Sequence, residues 1–307
     1  MRLIRIFLWY DYHMLIVIVG PTGSGKTEVA LKVAEFYNAP IINADAFQIY
    51  QDMNVGTAKV AINSEEYKKH YLLDIVKPDQ TYSVKQYQED FRKLYIGLRK
   101  QFENIVICGG TGLYIKAALY DYRFEDEQEV DVSDLDEMSN LQLYEILSSL
   151  DPKATETIHI NNRKRVIRAI QIARTHKLNK SEEIEKQEHR LYFGGETVKF
   201  LFLNPNREQL YANINARVDH MLKNGLVNEV KDLLKKYKLS QTAKAAIGYK
   251  EVIDYLDGKY SFDECSELIK KRTRNYAKRQ VTFFKHQLPC VEYDSKEALL
   301  QEATRDE

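Results

Sequence analysis

A chain of 307 residues, 44% hydrophobic and 29% charged, can bury a sizeable core and has the length of about two domains at ~150 residues each. Lys plus Arg and Asp plus Glu both number 45, so the chain is neutral overall, but its charges are segregated. Residues 124–152 hold acids and no Lys or Arg, residues 161–177 hold six Lys or Arg and no acid, and residues 267–286 hold seven Lys or Arg and one Glu. Basic blocks in a neutral chain point either to a local polyanion site or to solvated helix faces. Cys108, Cys265 and Cys290 form no CxxC pair, which argues against a zinc site or a disulfide framework and for a reducing, cytoplasmic setting.

Residues 1–13 are apolar, but Arg5, Asp11 and His13 interrupt them, and no small-residue cleavage site follows. They make a poor signal peptide and a poor membrane span. They are read as a dispensable tail, with Met14 as the functional start. Residues 14–19 form a continuous apolar, β-rich run, the pattern of a buried parallel strand. A glycine-rich stretch follows over 20–27, then a helix over 28–37 with Val29, Val33 and Phe36 at helical spacing. A second strand is predicted at 41–44. Ser83 is the expected N-cap of a helix reaching about residue 102, with Val84, Tyr87, Phe91, Leu94 and Leu98 on one face. A third strand at 105–108 ends in Gly109-Gly110. Strands and helices in alternation predict a parallel α/β sheet.

After Tyr120 the strand signal stops. Residues 121–190 read as an acidic loop followed by helices, including one over 162–176; residues 198–203 are strand-like again. Residues 207–224 form an amphipathic helix with Gly225 at its C-cap, and the chain to about 287 is largely helical. The predicted fold is α/β, a P-loop NTPase-like parallel sheet core over 14–120 and 198–307 interrupted by a small helical insertion domain over 121–197.

The stretch Gly20, Pro21, Thr22, Gly23, Ser24, Gly25, Lys26, Thr27 matches the P-loop pattern and sits where that motif must sit, after a strand and opening a helix. Its glycines let backbone N–H groups turn in around phosphate oxygens, and the helix N-terminus adds partial positive charge. Lys26 supplies a point charge and Thr27 a hydroxyl for Mg²⁺ held by the phosphates. The best later strand ends in Cys108-Gly109 rather than in the Asp that usually helps to hold that metal, which counts against ordinary ATP hydrolysis. Asp45 lies just past the second strand, at the sheet edge where ligands bind in open parallel sheets; as a plain turn residue it would cap the next turn.

GPTGSGKT (20–27), DAFQIY (45–50), NVGTAK (54–59) and GGTGLYI (109–115), followed by NNRKRVIRAI (161–170), INARVDHML (214–222), AAIGYKEV (245–252) and TRNYAKRQ (273–280), together resemble the tRNA dimethylallyltransferase family from about residue 14 to 287. The resemblance implies a bacterial-type enzyme that binds dimethylallyl diphosphate in the P-loop. It would attach the five-carbon group to N6 of the adenosine 3′ of the anticodon, with Mg²⁺. It implies Asp45 as general base, Thr111 near the bridging oxygen of the leaving group, and Lys26 and Arg217 neutralising the diphosphate. Read without the resemblance, Thr111 is turn chemistry between Gly110 and Gly112, and Arg217 is a solvent-facing charge on its helix.

The same resemblance places the tRNA anticodon stem-loop on Asp45, Ala46, Phe47 and Gln48, on Lys164, Arg165 and Arg168 of the insert, on Gly248 and Tyr249, and on Arg274, Lys278, Arg279 and Gln280. Lys271, Arg274, Lys278 and Lys285 follow helical spacing as one stripe, with Tyr276, Phe283 and Phe284 interleaved and assigned mainly to the core. Ala46 stands where many relatives carry Ser, and Ile160 where many carry Pro. The protein is expected to be a monomer without membrane association. A P-loop kinase and a non-catalytic RNA-binding protein are the competing readings. The missing strand-terminal Asp and the basic blocks count against the first, and the intact Lys26, Thr27, Asp45 and Thr111 against the second.

Overall fold

The computed structural model describes residues 13–122, 124, 131–175 and 190–305. The predicted tail therefore lies outside the described residues apart from His13, as does much of the acidic linker. Six strands, β1 (Met14–Val19), β2 (Ile41–Asn43), β3 (His70–Tyr71), β4 (Asn104–Gly109), β5 (Thr197–Leu203) and β6 (Val291–Tyr293), form one sheet in the order β3-β2-β4-β1-β5-β6. Every pairing in it is parallel.

The apolar run of β1 has no polar alternation because both its faces are covered. Ile16 and Ile18, with Leu201 and Leu203 of β5, pack under the helices Lys26–Phe36 and Lys296–Ala303. Residues one position along point the other way. Phe202 meets Phe284 of the long helix Phe262–Gln287 with ring centroids 5.5 Å apart. Val19 pairs with Gly109 and Asn43 with Cys108, so the loops after β1, β2 and β4 leave the sheet at one edge. The helix Val84–Arg99 starts where predicted, because Ser83 and Gln86 form a reciprocal capping box. A second core, built on Ile49, Met53, Val218, Met221, Val230 and Ile269, joins the segment after β2 to the C-terminal helices.

The chain divides into two compact units, one running to Leu119 and resuming at Phe193, the other Tyr120–Tyr192. The sequence placed the return to the core at 198. It comes earlier because the Phe193 ring packs at a tilt against Tyr95, centroids 4.0 Å apart, and Thr197 already belongs to β5. The smaller unit holds the helices Asn140–Leu150, Pro152–Thr157 and Arg163–Thr175 around Leu135, Leu143, Leu147, Val166 and Ile170. Arg163 of its basic block donates to the carbonyls of Leu135, Asp136 and Met138, and Arg174 forms a bidentate pair with Asp134 at 2.9 and 2.7 Å. Arg163 is thereby committed to the unit's own backbone, whereas the Arg174 pair lies on the exposed surface. No described helix is long and apolar enough to cross a membrane.

Candidate active site

The P-loop leaves β1 through Gly23 and Gly25 at φ of 83° and 89°, and Gly25 opens the helix Lys26–Phe36. Only glycine takes that left-handed backbone without strain. Burial pushes the Lys26 ammonium pKa down; Cys108 and Asp45 oppose the shift and Arg217 adds to it. A buried cation with a depressed pKa gains strongly from an arriving anion.

Asp45 sits on the loop after β2. Asn43 accepts the Asp45 N–H at 3.1 Å and donates to the Leu72 carbonyl at 3.1 Å, so the loop is braced from within the sheet. Oδ1 of Asp45 accepts the Phe47 N–H at 3.0 Å. Asp45 is thus a turn cap through one oxygen, while the other has no hydrogen-bonding partner among the described residues. The Thr111 N–H donates to the Ala44 carbonyl at 3.0 Å and its Oγ accepts the Ala46 N–H at 3.0 Å. A Cβ on Gly109 would stand 2.2 Å from the Ala44 oxygen, so glycine there is what lets the two loops lie this close.

Two cavities open on this edge. A polar one is lined by Lys26, Thr27, Asn43, Gln48, His70 and Cys108. A largely apolar one is walled by Phe47, Met221, Ile247, Tyr249, Ile269 and Tyr276. Thr22, Asp45 and Arg217 line both. Arg217, on the helix Arg207–Lys223, is not the solvent-facing charge that helical pattern alone suggested. It donates to the Thr57 carbonyl at 3.1 Å, and burial lowers its pKa against the opposing pull of Asp45. Around these cavities an anion can be held at one end, an apolar group at the other, and a proton accepted between them.

Over residues 48–287 the chain matches the family described as IPP transferase. The chain belongs to this family. It is 39% identical over 301 residues to the tRNA dimethylallyltransferase of Staphylococcus saprophyticus, with 94% of each chain covered. It is 40% identical over 284 residues to that of Clostridioides difficile, with 88% of each covered. A solved tRNA delta(2)-isopentenylpyrophosphate transferase from Staphylococcus epidermidis superposes with a TM-score of 0.68 at 38% identity, over 95% of this chain and 97% of that one. A eukaryotic dimethylallyltransferase caught acting on tRNA superposes at 0.77 with 25% identity, over 94% of this chain and 75% of that one.

In this IPP transferase the residues expected to touch RNA fall into two groups. Lys164, Arg165, Lys278 and Arg279 are exposed, with the Arg279 guanidinium 5.6 Å from the Tyr276 ring centre. Arg168 donates to Gln171 at 2.8 Å and Arg274 to Asn215 at 2.6 Å. Lys285, expected in the same stripe, pairs with Glu292 at 2.9 Å. Phe47 lines the apolar cavity, while Gln48 lines the polar one and donates to the Thr57 carbonyl at 3.2 Å. Gly248 turns at φ 95°, its N–H held by Glu251 at 2.6 Å. Two of these residues are buried. Tyr249 walls the apolar cavity with its ring, and its hydroxyl donates to Glu229 at 2.7 Å. Gln280 is buried between two loops, accepting the Thr22 N–H at 2.9 Å and donating to the Gly110 carbonyl at 2.8 Å; it ties the P-loop to the Thr111 loop.

Sequence reasoning missed Asn43, His70 and Glu229, and assigned Tyr276 to the core. Phe284 is core, but Tyr276 walls the apolar cavity, its hydroxyl pKa pushed up to about 12 by burial and by Asp45. A single Asn or His inside a β-rich run has no spacing signature. Among the described residues no group of three or more His, Cys, Asp or Glu could hold a metal ion. The Thr27 hydroxyl in the polar cavity fits a small hard cation whose other ligands are phosphate oxygens and water, the usual arrangement of Mg²⁺.

Proposed function

We propose that this IPP transferase moves a dimethylallyl group from dimethylallyl diphosphate to N6 of the adenosine 3′-adjacent to the anticodon in tRNA, releasing diphosphate. The observation that carries the reading is the meeting of a polar and an apolar cavity at Thr22, Asp45 and Arg217. The diphosphate lies in the P-loop against Lys26 and Thr27, with Arg217 across from it. The allylic carbon lies at the junction, and the adenine amine approaches from the apolar side. As the N6–C bond forms and the C–O bond breaks, electrons leave with the diphosphate. Lys26, Arg217 and the P-loop N–H groups stabilise that charge, and the Thr111 hydroxyl donates toward the bridging oxygen. The free oxygen of Asp45 takes the N6 proton. Mg²⁺, held by Thr27 and the diphosphate, supplies further charge neutralisation when bound. Lys164 and Arg165 of the smaller unit, with Lys278 and Arg279, contact the RNA backbone, and the target base leaves its stack to reach Asp45.

A kinase would share the P-loop, but β4 ends in Cys108-Gly109 and offers no carboxylate beside Thr27. Purified protein incubated with tRNA and either labelled dimethylallyl diphosphate or γ-labelled ATP separates the readings. Label from the first donor on tRNA adenosine is the expected result; phosphoryl label on any acceptor would refute it.

A further inference from the structure

Glu229 stands in the first turn of the helix Leu226–Lys236, and its carboxylate is saturated by the protein. Oε2 accepts the N–H groups of Asn54 at 2.9 Å and Val55 at 2.7 Å; Oε1 accepts the Gly56 N–H at 3.1 Å and the Tyr249 hydroxyl at 2.7 Å. Three consecutive backbone donors converging on one carboxylate resemble an anion site in which the anion is a side chain of the same chain. With all its acceptor positions directed at the protein, Glu229 has nothing left to offer a substrate.

What the clasp holds is the carbonyl of Thr57, one residue beyond. That oxygen accepts Nη2 of Arg217 at 3.1 Å and Nε2 of Gln48 at 3.2 Å. The carbonyl is the one hydrogen-bond acceptor of Arg217 among the described residues, so it sets where the guanidinium points and leaves the remaining donors for a ligand. The loop is braced again from its far side: Lys59, with no exposed side-chain surface, donates to the Tyr50 carbonyl at 2.7 Å and pairs with Asp74. The Tyr249 ring closes on Gly56, where a Cβ would come within 2.4 Å of it.

We propose that Glu229 is a positioning residue for the transfer, acting through the Thr57 carbonyl to orient Arg217 on the departing diphosphate. This rests on the function proposed above. Glu229→Gln keeps size but turns an NH₂ group toward two N–H or O–H donors, so the clasp opens on one side.

The test is a double-mutant cycle of Glu229→Gln and Arg217→Ala on the full chain. It reads single-turnover transfer with both substrates saturating, and Mg²⁺-diphosphate binding by calorimetry. Misplacing a charge-stabilising group by about 1 Å costs up to about 10²-fold in rate. Glu229→Gln is expected to lose about 10- to 10²-fold and to weaken diphosphate binding in the same direction as Arg217→Ala. The double variant should fall within about threefold of Arg217→Ala alone, because both changes remove one contribution. Wild-type rate in Glu229→Gln, or losses that multiply in the double variant, would overturn the proposal. If Glu229→Gln does not fold, Glu229→Asp goes through the same cycle. Failure of both to fold would assign the clasp to stability and overturn the positioning role. A wild-type protein without transfer activity refutes the functional reading itself, whereas a transferring wild type with a multiplicative cycle refutes only this inference.

Discussion

Gln280 offers the sharpest separation between a residue that binds RNA and one that builds the site. Gln280→Ala removes the acceptor of the Thr22 N–H and the donor to the Gly110 carbonyl, the first bond partly buried and the second fully buried. Each hydrogen bond contributes about 1 kcal/mol net, and a buried group left unpaired costs about 1–3 kcal/mol. Two such groups together cost about 2–6 kcal/mol. At about 2–4 °C per kcal/mol for a domain of this size class, the melting temperature should fall by roughly 4–24 °C. Freed from each other, the P-loop and the Thr111 loop shift by fractions of an ångström, and the single-turnover rate should drop about 10- to 10²-fold. Affinity for tRNA should stay within about twofold, since the side chain reaches no solvent. The assay pairs thermal unfolding with fluorescence anisotropy on labelled anticodon stem-loop. Unchanged melting together with a large loss of RNA affinity would refute the reasoning and return Gln280 to the RNA interface.

Asp45→Asn should lower single-turnover transfer by about 10² to 10⁴ while the protein still binds diphosphate; a near wild-type rate would leave Asp45 as a turn cap alone. Arg165→Ala and Lys278→Ala should each reduce the slope of log K against log salt for tRNA by about 0.7–0.9, whereas Arg163→Ala should destabilise the smaller unit without changing that slope, because its guanidinium is committed to three carbonyls. Burial holds the Cys108 thiol up at about 11 against an ordinary value of 9.0, so at pH 8 it carries about 100-fold less thiolate than an exposed cysteine. Alkylation by iodoacetamide, followed by mass spectrometry, should be correspondingly slow in the folded enzyme; rapid labelling of Cys108 would mean that Lys26 ionises it.

What could be read in advance was whatever the chain writes within a few residues. β1 came from an unbroken apolar run, the helix after Ser83 from an N-cap serine ahead of apolar residues at helical intervals, and the phosphate loop from glycines at fixed offsets before Lys26. β3 and β6 were not legible: one is two residues long, and in the other Val291 and Glu292 are exposed, so neither leaves a burial pattern. The basic blocks were legible as charge but not as partners. Lys270 with Asp219, Arg272 with Glu251 and Lys285 with Glu292 join residues that no helical spacing relates.

The same distinction decides which parts of the candidate site a sequence can announce. A phosphate cradle needs consecutive N–H groups and a helix start, so its residues must be neighbours in the chain and form a motif. A cation for the leaving group needs only to arrive in the right place. Arg217 meets the Thr57 carbonyl 160 positions away, and Glu229 reaches Asn54, Val55 and Gly56 across 173 to 175 positions. Such contacts follow from how the helices Arg207–Lys223 and Leu226–Lys236 pack on the core built around Ile49 and Met53, not from any local spacing. An arginine on an amphipathic helix therefore looks like solvated charge until the carbonyl that aims it is seen, and that carbonyl is held by a glutamate which takes no part in the chemistry.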